Sequence, residues 1–188
     1  MRGLWLTSVL LLACGRIGFE PTDSSTTTAT DGTAIGDGAA LDQSLACAPI
    51  PCGGTARFVM CGSRCFASCQ DTSNQTAGKA TCATWGGALL SIHDATEQAC
   101  ADMLAQNLAI GLWLGYEQTP QSDTMAFTLG WTWNDSSPSG AYTHWLSTEP
   151  NDAGDGLEDG EEQCSNLLGG GRWNDELCGE QRGVACAR

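Results

Sequence analysis

Positive charge is scarce in this chain: eight Lys and Arg stand against 22 Asp and Glu, for a formal charge of −14. A nucleic-acid partner needs a Lys/Arg surface to neutralise phosphates, so this balance argues against one, and it equally disfavours adsorption to an anionic membrane surface. Cations and neutral ligands are the natural partners. Histidine is nearly absent, with His93 and His144 alone, and both read as structural. No Ser/His/Asp or Cys/His arrangement stands out for nucleophilic catalysis. The apolar run at the N-terminus, Leu4 to Leu12, falls short of the roughly 17–25 residues a membrane-spanning helix needs.

Cysteine is plentiful. Eleven in 188 residues exceed what a reduced cytosolic chain carries, so the sequence points to an oxidising compartment. The N-terminus accounts for the odd count. Met1-Arg2, the apolar run and Leu11-Leu12-Ala13-Cys14 read as a lipoprotein signal peptide (residues 1–13) with its lipobox. Lipidation of Cys14 would leave ten cysteines, an even number, and Gly15 after it resembles the pattern of lipoproteins that proceed to the outer membrane. The expected localisation is therefore exported and lipid-anchored, at the outer membrane or cell surface. From residue 14 to 46 the chain is rich in Ser, Thr, Gly, Asp and Ala. It cannot bury enough apolar area to offset ordering and reads as a flexible tether. Residues 47–188 are then one domain of ordinary size.

Within that domain, Cys47, Cys52, Cys61, Cys65 and Cys69 come in quick succession, and in an exported chain disulfides are favoured over a metal site. Thr76 to Trp85 reads as a short helix stopped by Gly86-Gly87, and Ala88 to Ile92 as a strand. Asp94 and Glu97 have capping-box spacing ahead of a second helix, whose stripe of Ala99, Cys100, Met103, Leu104 and Leu108 should dock on a sheet. Leu112 to Tyr116 is an apolar strand candidate. Phe127, Leu129, Trp131 and Trp133 alternate with Thr128, Gly130 and Thr132, which buries one face of a strand. Arg172 to Cys178 and Gly183 to Cys186 read as closing strands, for a mixed α+β architecture.

The chemistry concentrates between Glu149 and Asp175. Glu149-Pro150-Asn151 opens the stretch, an acidic loop leads to Glu162 and Cys164, and Trp173-Asn174-Asp175 closes it before Cys178. Every ligand type in it is an oxygen donor, which suits a hard cation such as calcium. An X-Pro bond is the one peptide that is cis at modest cost, and a cis bond here would aim both flanking side chains into one site. These motifs, with Leu112-Trp113-Leu114-Gly115 and Tyr142-Thr143-His144-Trp145, resemble C-type lectin-like domains from about Cys61 to Cys186. The resemblance implies an α+β fold of two helices on antiparallel sheets with a long calcium-binding loop, stabilised by disulfides Cys82–Cys186 and Cys164–Cys178. The other six cysteines leave their connectivity open; Cys69 with Cys100 and Cys52 with Cys65 are the pairings expected here.

The resemblance further implies calcium held by Glu149, Asn151, Glu162, Asn174 and Asp175, with Glu149, Asn151, Glu162 and Asn174 also meeting a sugar. In the family the order Glu-Pro-Asn goes with mannose, glucose, N-acetylglucosamine and fucose, and Gln-Pro-Asp with galactose. The loop between Asn151 and Cys164 is longer than the common pattern. Its Asp152, Asp155 and Glu161 are candidates for an auxiliary calcium, against the alternative of a solvated acidic loop; the Asp-Gly steps do not complete an EF-hand. The implied partners are glycans or glycoconjugates, with clustering on a membrane adding avidity. A module of this fold that binds a protein or another surface without sugar is the alternative. Glu149 and Asp175 also suggest the carboxylate pair of a glycosidase. A bound cation keeps carboxylates ionised, which makes them poor general acids, so an enzyme is not expected.

Overall fold

The structure, a computed structural model, describes residues 47–119, 128–152 and 162–188, all within a compact unit that spans Ala39–Arg188. Its first strands form a hairpin: β1 (Ala56–Cys61) and β2 (Arg64–Ser73) turn at Gly62, whose φ of 61° is left-handed. Then follow α1 (Gln75–Trp85), β3 (Ala88–Leu89), α2 (Ala95–Ala105), β4 (Leu112–Gln118), β5 (Trp131–Trp133), β6 (Cys164–Leu167), β7 (Trp173–Glu176) and β8 (Arg182–Ala187). The strands share one sheet in the order β1-β2-β8-β4-β6-β7, with β3 on β8 and β5 on β4. All ladders are antiparallel except β4 with β8. The expected α+β architecture holds, with that one parallel pair added to an otherwise antiparallel sheet.

Period-two alternation places the two helices on opposite faces of the sheet. Leu112, Leu114 and Tyr116 of β4 pack with Cys100, Ala101, Leu104 and Ala105 of α2. Trp113 between them packs with Cys82 and Trp85 of α1 and with Val184 of β8. Trp113 is fully buried, in keeping with the packing role expected of it. Trp131 and Trp133 are buried as the alternation predicted, whereas Leu129 is exposed, lying before β5 begins; Phe127 falls outside the described residues.

Both helices are capped by side chains. Asn74 accepts from the Ala77 amide, and Gly86 closes α1 in the left-handed region. Asp94 accepts from the amides of Thr96 and Glu97, but Glu97 reaches back to the His93 amide rather than to that of the cap residue. The apolar stripe of α2 needs correction. Met103 is 52 % exposed, and the buried positions are Gln98, Cys100, Ala101, Leu104 and Ala105. The face that docks is rotated because the polar Gln98 goes inside, where Trp173 and Gly171 meet its amide.

Five disulfides join ten of the eleven cysteines, and Cys82–Cys186 and Cys164–Cys178 are among them as expected. The other expected pairings, Cys69–Cys100 and Cys52–Cys65, are replaced by Cys61–Cys100, Cys52–Cys69 and Cys47–Cys65. Side-chain direction explains the change. Cys65 and Cys69 are four residues apart on β2, so both point to the α1 side with Ala67, where they meet the segment that carries Cys47 and Cys52. Cys61 sits on the other face, with α2, and only it can reach Cys100.

Candidate functional site

The sheet ends at β7, and the segment from Tyr142 to Leu146 runs parallel along its outer edge. The Trp173 amide donates to the His144 carbonyl at 3.0 Å, and the Leu146 amide donates to that of Trp173 at 2.8 Å. A cluster of rings holds this segment down: Trp145 meets Trp131 and Trp173 edge-on, at centroid distances of 4.8 and 5.7 Å. The chain then turns, with the Glu149 amide on the Leu146 carbonyl at 3.0 Å, and passes through a cis Glu149–Pro150 bond. Beyond it the amides of Asn151 and Asp152 both donate to Oδ2 of Asp175, at 2.8 and 2.9 Å. Glu-Pro-Asn is thereby fastened to Trp-Asn-Asp, 24 positions later in the chain.

Two carboxylates meet where these motifs join. Asp175 is 1 % exposed, and its Oδ1, like Oε2 of Glu149, is buried with no hydrogen-bond donor among the described residues. Burial raises the Glu149 carboxyl above its ordinary pKa, and the facing Asp175 charge raises it further, against a hydrogen bond from Thr148. Burial likewise raises Asp175, in spite of the two amides on its other oxygen. Two buried anionic oxygens without a donor are an incomplete arrangement for a protein alone. A proton shared between the two carboxyls would satisfy both oxygens in part, and a hard divalent cation would satisfy both while each stays ionised. The residues present fit calcium on this ground.

The remaining predicted residues gather unevenly around the pair. The Asn174 side chain is half-buried and donates to the backbone carbonyl of Asp175. Glu162 is fixed by its amide, which donates to Oδ1 of Asp152 at 2.9 Å. With Glu149 and Asp175 it does not form a trio of carboxylate oxygens all within 4.8 Å of one another. Among the described residues, the one trio of carboxylate, imidazole or sulfur atoms within 4.8 Å of one another belongs to Cys52, Cys69 and Asp71. Two of these are consumed in a disulfide. Asp152 spans the base of the acidic loop with its backbone at a left-handed φ of 53°, a conformation Asp tolerates better than most side chains. Asp155 and Glu161, the other auxiliary-metal candidates, lie outside the described residues, as does Cys14.

Thr148 was not anticipated: its hydroxyl donates to Oε1 of Glu149 at 3.1 Å, and only its adjacency to Glu149 signalled it. Both histidines are engaged in packing contacts, as expected. His93 bonds Glu97 through Nδ1 and Ser137 through Nε2, each at 2.8 Å. His144 stacks with Tyr142, the planes 5° apart, and burial, then the Arg172 charge, lower its pKa.

Comparison with known proteins agrees with this geometry. The family model described as "Lectin C-type domain" matches residues 71–188. C-type mannose receptor 2 of Rattus norvegicus is 32% identical over 58% of this chain and 7% of its own length, so the chain spans a small part of that relative. Among solved structures, the carbohydrate-recognition domain of cow CD23, determined in the presence of a GlcNAc2Man3 oligosaccharide, is 29% identical with a TM-score of 0.57. That match covers 70% of this chain and 92% of the other. A calcium-independent type II antifreeze protein is 25% identical with a TM-score of 0.56, over 70% and 90% of the two chains. With the matched family model spanning more than half of the sequence, the chain belongs to the C-type lectin domain family.

Proposed function

We propose that this domain binds carbohydrate in a calcium-dependent manner, through Glu149, Asn151, Glu162, Asn174 and Asp175. One observation carries the reading: Glu149 and Asp175 face each other with a buried, donorless oxygen each. The similarity to a domain solved in the presence of an oligosaccharide supports it. Calcium, when bound, supplies positive charge and open coordination positions for two vicinal sugar hydroxyls. The residues around it choose among sugars. Glu149 offers only acceptors, whereas Asn151 donates through its amide nitrogen, so the pair presents a polarity to the two hydroxyls. That polarity suits mannose, glucose, N-acetylglucosamine or fucose. The domain acts by holding its ligand, without turnover, on the end of a tether anchored through lipidated Cys14. Engagement of all ten described cysteines in disulfides supports export to an oxidising compartment.

The test is a sugar-competition assay on the full chain and on a swap of Glu149→Gln with Asn151→Asp. The swap is expected to move preference from mannose toward galactose. Unchanged preference would show that the acidic loop, not the Glu-Pro-Asn motif, selects the sugar. A second reading, recognition of a non-sugar surface without calcium, is favoured by the likeness to a calcium-independent antifreeze protein. It predicts ligand capture that persists in EDTA.

A further inference from the structure

At the opposite end of β7 from Asp175 lies a cavity of about 250 Å³, formed by Asp102, Met103 and Gln106 at the C-terminal end of α2 and by Gly169, Gly170 and Gly171 of the β6–β7 turn. Four residues along the strand, at roughly 3.3 Å each, set it about 13 Å from Asp175. None of its residues belongs to the Glu149–Asp175 site. Its size is below the roughly 300–1,000 Å³ of a drug-sized pocket, so it admits one small unit.

The wall is built rather than incidental. Buried Gln98 accepts from the Trp173 indole at 2.9 Å and donates to Oδ1 of Asp102 at 2.7 Å and to the Gly171 carbonyl at 2.9 Å. Gly171 is required at this place. Its φ is 81°, and a Cβ there would fall 2.4 Å from Oδ1 of Asp102. Asp102 and Gln106 are exposed, and they set a carboxylate acceptor and an amide donor–acceptor at the mouth. Half-exposed Met103 adds an apolar wall. Beside the cavity stand Tyr142 and His144, stacked with centroids 6.2 Å apart. Asp102 and Arg172 act on both rings with opposite charges, and Asp94 acts on Tyr142 as well. A small ligand rich in hydroxyls and carrying an apolar face matches these walls.

We infer that this cavity is a second saccharide subsite, which takes one neutral hexose unit through Asp102, Gln106 and Met103 without calcium. The ligand class rests on the carbohydrate reading above; the site itself is independent of the metal. Gly170 lines the cavity and a Cβ there would meet nothing within 4 Å, so a leucine adds bulk at its wall without displacing the surroundings. The ¹⁵N-labelled full chain is titrated in EDTA, where the calcium-dependent site is silent, with methyl α-mannoside and separately with methyl α-glucoside. Saturable amide shifts are expected at Asp102, Gln106 and Gly169 to Gly171 for at least one sugar. Gly170→Leu should weaken that binding about tenfold or more, a loss of at least ~1.4 kcal/mol, while calcium-dependent glycan binding by the same variant is unchanged. Absence of saturable shifts at these residues for both sugars, or shifts undiminished in Gly170→Leu, would overturn the inference. Saturable shifts in EDTA from a chain that shows no calcium-dependent glycan binding would uphold this subsite and defeat the main site instead.

Discussion

Glu149 and Asp175 are arranged at a cost to the metal-free protein. Each has a buried oxygen without a donor, and each anion opposes the other, so the folded chain holds a repulsion that a cation relieves. Replacing Glu149 by Gln removes one charge at nearly constant shape. In EDTA this variant should melt higher than the wild type, by about 2–4 °C if ~1 kcal/mol of repulsion is relieved. The stabilisation by added calcium should vanish with the same substitution. Calorimetric melting with and without calcium checks both, and a lower melting temperature in EDTA would show that Glu149 stabilises the fold by itself.

Glu97 behaves in the opposite way. Burial acts to raise its pKa, but hydrogen bonds from Arg64 and from the amide and ring of His93, with the Arg64 charge, outweigh it and hold the carboxyl below its ordinary value. A carboxyl whose pKa is depressed in the folded state stabilises the protein above its unfolded pKa, and that contribution is lost as pH falls through the folded value. Glu97→Gln should therefore cost about 1–3 kcal/mol near neutrality, the range for charge-assisted hydrogen bonds and the groups left without them. The difference from wild type should shrink on acidification through the carboxylate range. Denaturant unfolding at a series of pH values measures it.

At the scale of the element, the disulfides do unequal work. Cys82–Cys186 ties α1 to the last strand across 104 positions, whereas Cys52–Cys69 spans 17. Chain-entropy arguments assign about 4.7 kcal/mol to the first and about 3 kcal/mol to the second. Removing both cysteines of each pair in turn should lower unfolding free energy in that order, as read by denaturant titration. The two pairings that follow from family resemblance were legible in the sequence, but those near the N-terminus were not, because they depend on which face of β2 each cysteine occupies. That face is set by the β1–β2 hairpin, which was hidden among cysteines and short polar residues. The helix ends at Gly86 and Asp94 were visible because capping is local. The face of α2 was not: a buried Gln98 with a distant Trp173 partner overrides a stripe drawn from hydrophobicity, and leaves Met103 outside. At the site, the Glu-Pro-Asn and Trp-Asn-Asp ends were legible as motifs. Their direct fastening, by the Asn151 and Asp152 amides on Asp175, is tertiary and could not be read from spacing.

The whole molecule is strongly acidic, and its proposed ligands are a cation and neutral sugars, in keeping with the charge balance. A cation that binds only the folded domain stabilises it by mass action, about 2.7 kcal/mol at a hundredfold excess over the dissociation constant. Lipid anchoring would set many copies side by side, so weak single-site affinity becomes useful through avidity. The most direct measurement of the central claim is binding of the full chain to a broad glycan array, in calcium and again in EDTA. Capture of glycans ending in mannose, glucose, N-acetylglucosamine or fucose is expected in calcium, with that capture reduced to a weak residue or lost in EDTA. Equal capture in both conditions, or none in calcium, would contradict it.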